Sequence, residues 1–253
     1  VKHDGEKLEW HKELVDTPFN ITGFGIDHQQ EMYVIDHAGA FYRFTPTTDA
    51  DKPTQPFPRK LSQTGLFASV AEHRPVESAL PFDVASPQWA DGATMERFAG
   101  ITGLEKILRK PQLNAGGDWT LPNGSVLVQT LSLNLAGDDG KPPRRTRIET
   151  RLLTRQQGEW VGYSYRWNRD QTDAELVDSK GTADAFEVPD SSAADGRREQ
   201  IWRFPSRAEC MSCHSRAAGF HLAFNPLQLD VDRVVDGSTA KENQLQAFES
   251  LGL

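Results

Sequence analysis

The chain has 253 residues, 36 acidic against 28 basic side chains, and a formal net charge of −8. That length holds a real hydrophobic core, as one large domain or two small ones. The acidic balance argues against nucleic acid as a partner, because phosphate binding needs a basic face. No apolar stretch approaches the roughly 18–20 residues of a membrane-spanning helix, so no transmembrane segment is expected.

In chain order, Val1 opens without a start Met, a basic leader or a hydrophobic run, and Gly252-Leu253 closes the chain just after a helix-like segment. The chain therefore reads as a fragment or processed product, with any signal peptide outside it. Residues 20–44 alternate short apolar runs with polar or Gly turns: Ile21-Thr22-Gly23-Phe24-Gly25-Ile26, Met32-Tyr33-Val34-Ile35-Asp36 and Phe41-Tyr42-Arg43-Phe44. This predicts an antiparallel meander. The Gly-Phe-Gly, Tyr-Val-Ile-Asp and Tyr-Arg strands resemble the closing blade of a sorbosone/glucose dehydrogenase-like β-propeller, which implies that the other blades lie upstream. Pro46, Pro53, Pro56 and Pro58 then mark a semi-rigid linker and a domain boundary.

A new unit opens at Leu61. From Trp119 the period is two: Val126, Val128, Thr130 and Ser132 alternate with Leu127, Gln129, Leu131 and Leu133 after a Pro122-Asn123-Gly124 turn. Ile148, Thr150, Leu152 and Thr154 alternate along a second strand. A third runs from Trp160 to Trp167, with Tyr163, Tyr165 and Trp167 on one face and Gly162, Ser164 and Arg166 on the other. Long strands joined by Gly-rich turns predict an antiparallel sheet or sandwich. A short strand, Ile201–Phe204, leads to Ser206 and Glu209, a capping box that predicts a helix running to about Ala218 and ending at Gly219. A second helix is predicted over Lys241–Leu251.

Cys210-Met211-Ser212-Cys213-His214 is the C-x-x-C-H spacing of covalent haem c attachment. On one helical turn two thiols reach the two vinyl groups, and the following His coordinates iron from the proximal side. Cys210, Cys213 and His214 are thus the candidate cofactor-binding residues, His214 being the metal ligand. The competing readings are a dithiol redox pair, which wants a βαβ context, a zinc site, which wants a fourth ligand, and coincidence. The distal ligand is open. His221 follows His214 too closely, and Met211 inside the motif points away. Met95, His73, His28 and His37 could arrive by long-range folding, with packing near Phe98 the plainer role for Met95. The distal ligand is expected beyond Leu253 or absent.

Several segments together resemble a family of bacterial c-type cytochrome domains fused behind sorbosone/glucose dehydrogenase-like propellers. They are residues 61–67, Trp89-Ala90-Asp91-Gly92-Ala93 with Glu96-Arg97-Phe98, residues 149–153, residues 163–168 with 171–174, and residues 202–210. The resemblance implies an electron-transfer module with covalent haem c, serving a redox partner protein or a fused quinone-dependent sugar or alcohol dehydrogenase, with a PQQ site only in an upstream domain. It also implies a periplasmic or cell-surface location. The fold expected is mainly β (antiparallel sheet or sandwich) with a short α-helical cytochrome c-like segment. Its divisions are residues 1–45, a partial last blade; 46–60, a Pro-rich linker; 61–205, a β-rich domain; and 206–253, the haem-binding segment.

Two other classes stay open: a non-redox carbohydrate-binding β module with a structural C-x-x-C-H helix, and a ligand-open haem acting as a peroxidase. Arg144, Arg145, Arg147 and Arg151 could dock an acidic partner, although a solvated strand face is the plainer reading. Arg203 and Arg207 could meet haem propionates, or pair with Glu199 or Glu209. Tyr163, Tyr165 and Trp167 could stack on a porphyrin or a sugar, or line the inside of the sheet. Asp170, Asp173, Glu175 and Asp178 lack the spacing of a calcium loop.

Overall fold

The computed structural model describes residues 2–3, 5, 8–10, 17, 19–45, 57–101, 106–109, 119–137, 141–156, 158–215, 218–234 and 241–253. Most of the linker predicted at 46–60 lies outside them.

Three strands, β1 (Ile21–Ile26), β2 (Met32–Asp36) and β3 (Phe41–Arg43), make the predicted antiparallel meander. The described sheets do not close into a propeller. The body of the chain is a six-stranded antiparallel sheet whose strands follow one another in sequence order. They are β4 (Leu80–Pro81), β5 (Thr94–Gly100), β6 (Val126–Leu135), β7 (Arg144–Gln156), β8 (Glu159–Trp167) and β9 (Ala174–Leu176). A hairpin of β10 (Thr182–Pro189) and β11 (Arg197–Phe204) follows. The helices are α1 (Arg207–Cys213), α2 (Pro226–Leu229) and α3 (Gln244–Ser250).

The two faces of the large sheet are covered differently. On one, Val126, Val128, Leu152, Tyr163, Tyr165 and Trp167 meet Leu61 and Val70 in a single apolar cluster. The aromatic row is therefore interior, with Tyr165 wholly buried. Phe57 stacks on Tyr163 at 3.9 Å, and Tyr165 donates its hydroxyl proton to the Pro58 carbonyl at 2.8 Å, so the end of the proline segment is tied to this core.

The other face carries two apolar clusters. Ala99, Leu127, Leu153 and Trp160 pack against Met211, Phe224, Leu229 and Phe248 of the helical segment. Leu131, Leu133 and Ile148 pack against Val188, Trp202 and Phe204 of the hairpin. Between them runs one cross-strand row, Arg97, Gln129, Arg151 and Ser164. Ile148 reaches the hairpin cluster because of a bulge: Leu131 pairs with Glu149 but Ser132 pairs with Arg147, leaving Ile148 unpaired. Such an extra residue shifts the alternation of everything on one side of it, which strict period two did not anticipate.

Glu149, next to the bulge, is fully buried. Its carboxylate accepts from Arg151 Nε and Nη2 at 2.9 Å each, from Ser164 Oγ at 2.7 Å and from Trp202 Nε1 at 3.0 Å. Two strands of the sheet and the hairpin thus share one buried charge. Removing one partner of such a group leaves another uncompensated, so Glu149→Ala is expected to lower the unfolding free energy by about 3–5 kcal/mol. Urea titration followed by Trp fluorescence checks this; a loss within experimental error would mean that the carboxylate is not the joint described.

Candidate functional site

Local chemistry starts α1 as the sequence predicts. Glu209 N–H donates to Ser206 Oγ at 3.1 Å and Ser206 N–H to Glu209 Oε2 at 2.6 Å. Arg203 pairs with Glu209 at 3.0 Å. The Ser206 backbone bond, then Arg203, hold the Glu209 carboxyl below the usual carboxylate range. A charged carboxylate in the first turn also suits the helix dipole. The helix ends earlier than predicted. His214 is its C-cap, with its N–H on the Cys210 carbonyl, and Phe220 takes a positive φ of 62°. In the last helix, Asn243 caps with its side chain, and Lys241–Asn243 pairs with Asp232–Val234 as a short strand. The second predicted helix therefore loses its first turn to a strand.

The motif residues have three distinct environments. Cys210 lies in the seam between α1 and β8, where a Cβ built on Gly162 would stand 2.5 Å from the Cys210 Cβ and 2.9 Å from its Sγ. Only glycine lets the helix come this close. Burial pushes the Cys210 thiol up to about 11, although the Arg151 guanidinium nearby opposes it. Cys213 is exposed, and neither cysteine is in a disulfide.

His214 is half-buried, and its Nδ1 donates to the Phe220 carbonyl at 2.5 Å. This bond fixes the tautomer and leaves Nε2 as the lone-pair nitrogen. Burial lowers the His214 pKa below the ordinary histidine value, with the Phe220 bond working against it, so the ring is neutral at pH 7.

A cavity of about 120 Å³ opens beside His214. Met211, Ser212 and Ser215 line it from the motif side, Glu159 and Trp160 from the sheet, and Phe19, Asp36, His37 and Tyr42 from the meander. The meander was read as part of a separate domain, yet it faces the motif.

The remaining candidates are placed as follows. His221 is buried with Nδ1 at 2.8 Å from the Phe224 carbonyl and Nε2 at 3.1 Å from that of Trp119, so it braces the turn. His73 lies at the opposite face, between Thr130 Oγ1 at 2.9 Å and Glu96 at 3.2 Å. Met95 Sδ accepts from Arg97 and Gln129. Of the four arginines, Arg151 stands apart, holding Glu149; Arg147, over Trp167 at 4.3 Å, lies near Arg144 and Arg145, and Arg145 pairs with Glu96. Arg207 sits over the Tyr163 ring at 5.1 Å. Asp173 caps Ser62, and no group of three or more His, Cys, Asp or Glu among the described residues is arranged to hold a metal ion. Sequence reasoning missed Gly162, the Glu149–Arg151 pair and the cavity walls. The one available signal was a glycine inside an otherwise aromatic strand.

No family model, no curated protein and no solved structure matches the chain.

A c-type haem needs two reachable thiols and a neutral imidazole with one open nitrogen. His214 meets the second need, and Cys213 is open to solvent. Cys210 has the right spacing but is only partly accessible, its Sγ packed close to Gly162. The donor types suit the group, but neither cysteine lines the cavity beside His214, so both thiols meet one macrocycle only with α1 repositioned. At pH 8 in the haem-free protein, Cys213 is expected to react with a disulfide reagent on the order of a hundredfold faster than Cys210, whose thiolate fraction burial suppresses. Gly162→Ala should cost about 1–3 kcal/mol by overpacking and bring the two rates together. Equal rates in the unmutated chain would contradict the seam.

Proposed function

We propose that this chain carries electrons through a haem covalently attached at Cys210 and Cys213, with His214 as proximal iron ligand. The observation that carries the reading is the state of His214: a neutral imidazole, anchored through Nδ1, closing a capped C-x-x-C-H helix beside a cavity walled by Phe19, Tyr42, Trp160 and Phe220.

When bound, such a haem supplies one-electron transfer by cycling its iron between two oxidation states. The chain's own residues would hold it. The Phe220 carbonyl keeps the proton on His214 Nδ1 and so directs Nε2 outward. The Ser206–Glu209 box and the Arg203–Glu209 pair fix the helix start to the end of β11. Stacked Phe19 and Tyr42, at 3.9 Å, put two aromatic rings on that side of the cavity, beside Asn20, Asp36 and His37. The partner would be a redox protein or a sugar or alcohol dehydrogenase domain on the same polypeptide, and the compartment the periplasm or cell surface, where haem c is attached. The aromatic row of β8 faces the core and does not offer a sugar-stacking surface.

The test is direct. Expressed with the haem-attachment machinery, the chain should give a c-type pyridine haemochrome that survives acid–acetone extraction. Cys213→Ala should change the haemochrome to a single-thioether type, and Cys210→Ala/Cys213→Ala should abolish retention. Protein matured this way without any bound haem would end the cytochrome reading.

A further inference from the structure

Strand β6 has the same arrangement of residues on both of its sides. Gln129 pairs with Arg151 on β7 and with Arg97 on β5, and Leu131 pairs with Glu149 and with Met95. Arg97 and Met95 therefore stand across β6 from Arg151 and Glu149, two residues apart on the same face of the sheet. Arg151 gives its Nε and Nη2 protons to the two oxygens of Glu149. On the β5 side a thioether takes the carboxylate's place.

The donors are aimed there all the same. Arg97 Nη2 donates to Met95 Sδ at 2.8 Å, and Gln129 Nε2 donates to the same atom at 3.0 Å. These are separations usual between nitrogen and oxygen, and a thioether sulfur is only a weak acceptor. Arg97 Nε, on the same edge of the guanidinium as Nη2, is buried and has no acceptor among the described residues. Asp83, whose charge favours the Arg97 cation, is engaged by Arg233 at 3.0 Å. A buried donor left unpaired is costly. An oxygen on the Met95 sulfur would complete this fork as Glu149 completes that of Arg151.

We propose that Met95 is a modification site, oxidised by a small peroxide to methionine sulfoxide whose new oxygen is held by Arg97 and Gln129. The sulfur lone pair attacks one peroxide oxygen and the O–O bond breaks. The departing hydroxide takes up a proton and leaves as water, so sulfur loses the two electrons that the peroxide gains. Met95 is half-buried at the margin of the hairpin cluster, which leaves it open to a small oxidant. The long Arg97 and Gln129 side chains draw back to admit the oxygen, and Arg97 Nε gains its acceptor. A sulfoxide ordinarily disrupts a core, and thiol-dependent reductases return it to the thioether. Here it replaces a mismatched contact under the hairpin with a paired one. Met95 packs with the hairpin and the C-x-x-C-H helix with the other cluster, so this chemistry is independent of the haem reading.

The experiment uses the full chain expressed without haem, so that iron does not consume the oxidant, and hydrogen peroxide as probe. The three methionines differ in exposure: Met32 is exposed, Met95 half-buried and Met211 buried. Peptide mass spectrometry should show Met32 and Met95 gaining one oxygen on the order of tenfold faster than Met211. In Met32→Leu, oxidation at Met95 should leave the thermal unfolding midpoint unchanged or raised. Met32→Leu/Met95→Leu, treated identically, supplies the baseline for cysteine oxidation. Arg97→Lys, added to Met32→Leu, keeps the charge but loses the fork, and there the same oxidation should lower the midpoint. In the unmutated chain, hydrogen exchange at Arg97 Nε, followed by nuclear magnetic resonance, should slow on oxidation. Met95 remaining a thioether after Met32 is fully oxidised overturns the assignment. So does a sulfoxide that lowers the midpoint equally with and without the Arg97 fork, or that leaves Nε exchange unchanged.

Discussion

A carboxylate with no exposed surface cannot remain charged in a protein interior unless its neighbours replace the water it has lost. Glu149 gets four hydrogen bonds, two from Arg151 on its own strand, one from Ser164 on β8 and one from Trp202 on β11. Three elements must sit correctly at once for any of them to be satisfied. Satisfying Glu149 therefore fixes the lateral position of the hairpin on the sheet. β11 ends at Phe204, α1 is capped at Ser206, and Cys210 meets Gly162 shortly after. The motif's place is inherited from the carboxylate through a few residues of chain.

The same pair explains why one face of the sheet carries two apolar clusters instead of one. The hairpin and the helical segment are consecutive in sequence, and either could cover Leu127 and Leu153 or Leu131 and Leu133 on hydrophobic grounds alone. The row of Arg97, Gln129, Arg151 and Ser164 separates the two patches and directs its donors toward Glu149 and the Met95 sulfur. Buried ion pairs add little net stability, but removing one partner is costly. Here that asymmetry penalises any arrangement in which the covers slide along the sheet. Trp202 of the cover joins this network through its bond to Glu149.

Much of the sheet was legible because its chemistry is periodic. Val126 to Leu133 alternate cleanly, and the aromatics of β8 share a face that the structure buries. The capping box was legible because it is local, with both of its bonds within four residues. Three features were not. Arg147, Glu149 and Arg151 look like a solvated strand face, since nothing nearby in sequence announces that Ser164 and Trp202 will meet them. The bulge at Ile148 has no Gly or Pro to mark it. The end of α1 was placed at Gly219, the usual stop signal, whereas the helix stops at His214 because its imidazole turns back to a carbonyl six residues on. In the candidate site, the spacing of the three motif residues is a local pattern. The seam glycine and the cavity walls depend on which distant strands pack together, and no local pattern encodes that.

The difference between Cys210 and Cys213 follows from the same packing, and it decides which thiol reacts more readily. Helical spacing makes the two thiols equivalent in sequence, but only the first faces the sheet, where Gly162 leaves just enough room for sulfur. In the closed seam Cys210 is a protonated, shielded thiol, and the nearby Arg151 is occupied by Glu149, so it does little to activate it. Its partner three residues on is open to solvent. Shielding one member of a vicinal-type pair protects both from oxidation to a disulfide, since exchange needs a thiolate and access to the second sulfur. The same shielding slows any other reaction of Cys210 while the seam is closed. Chemistry at Cys210 is therefore faster when the seam between α1 and Gly162 is open. The joint that positions the site thus also closes it.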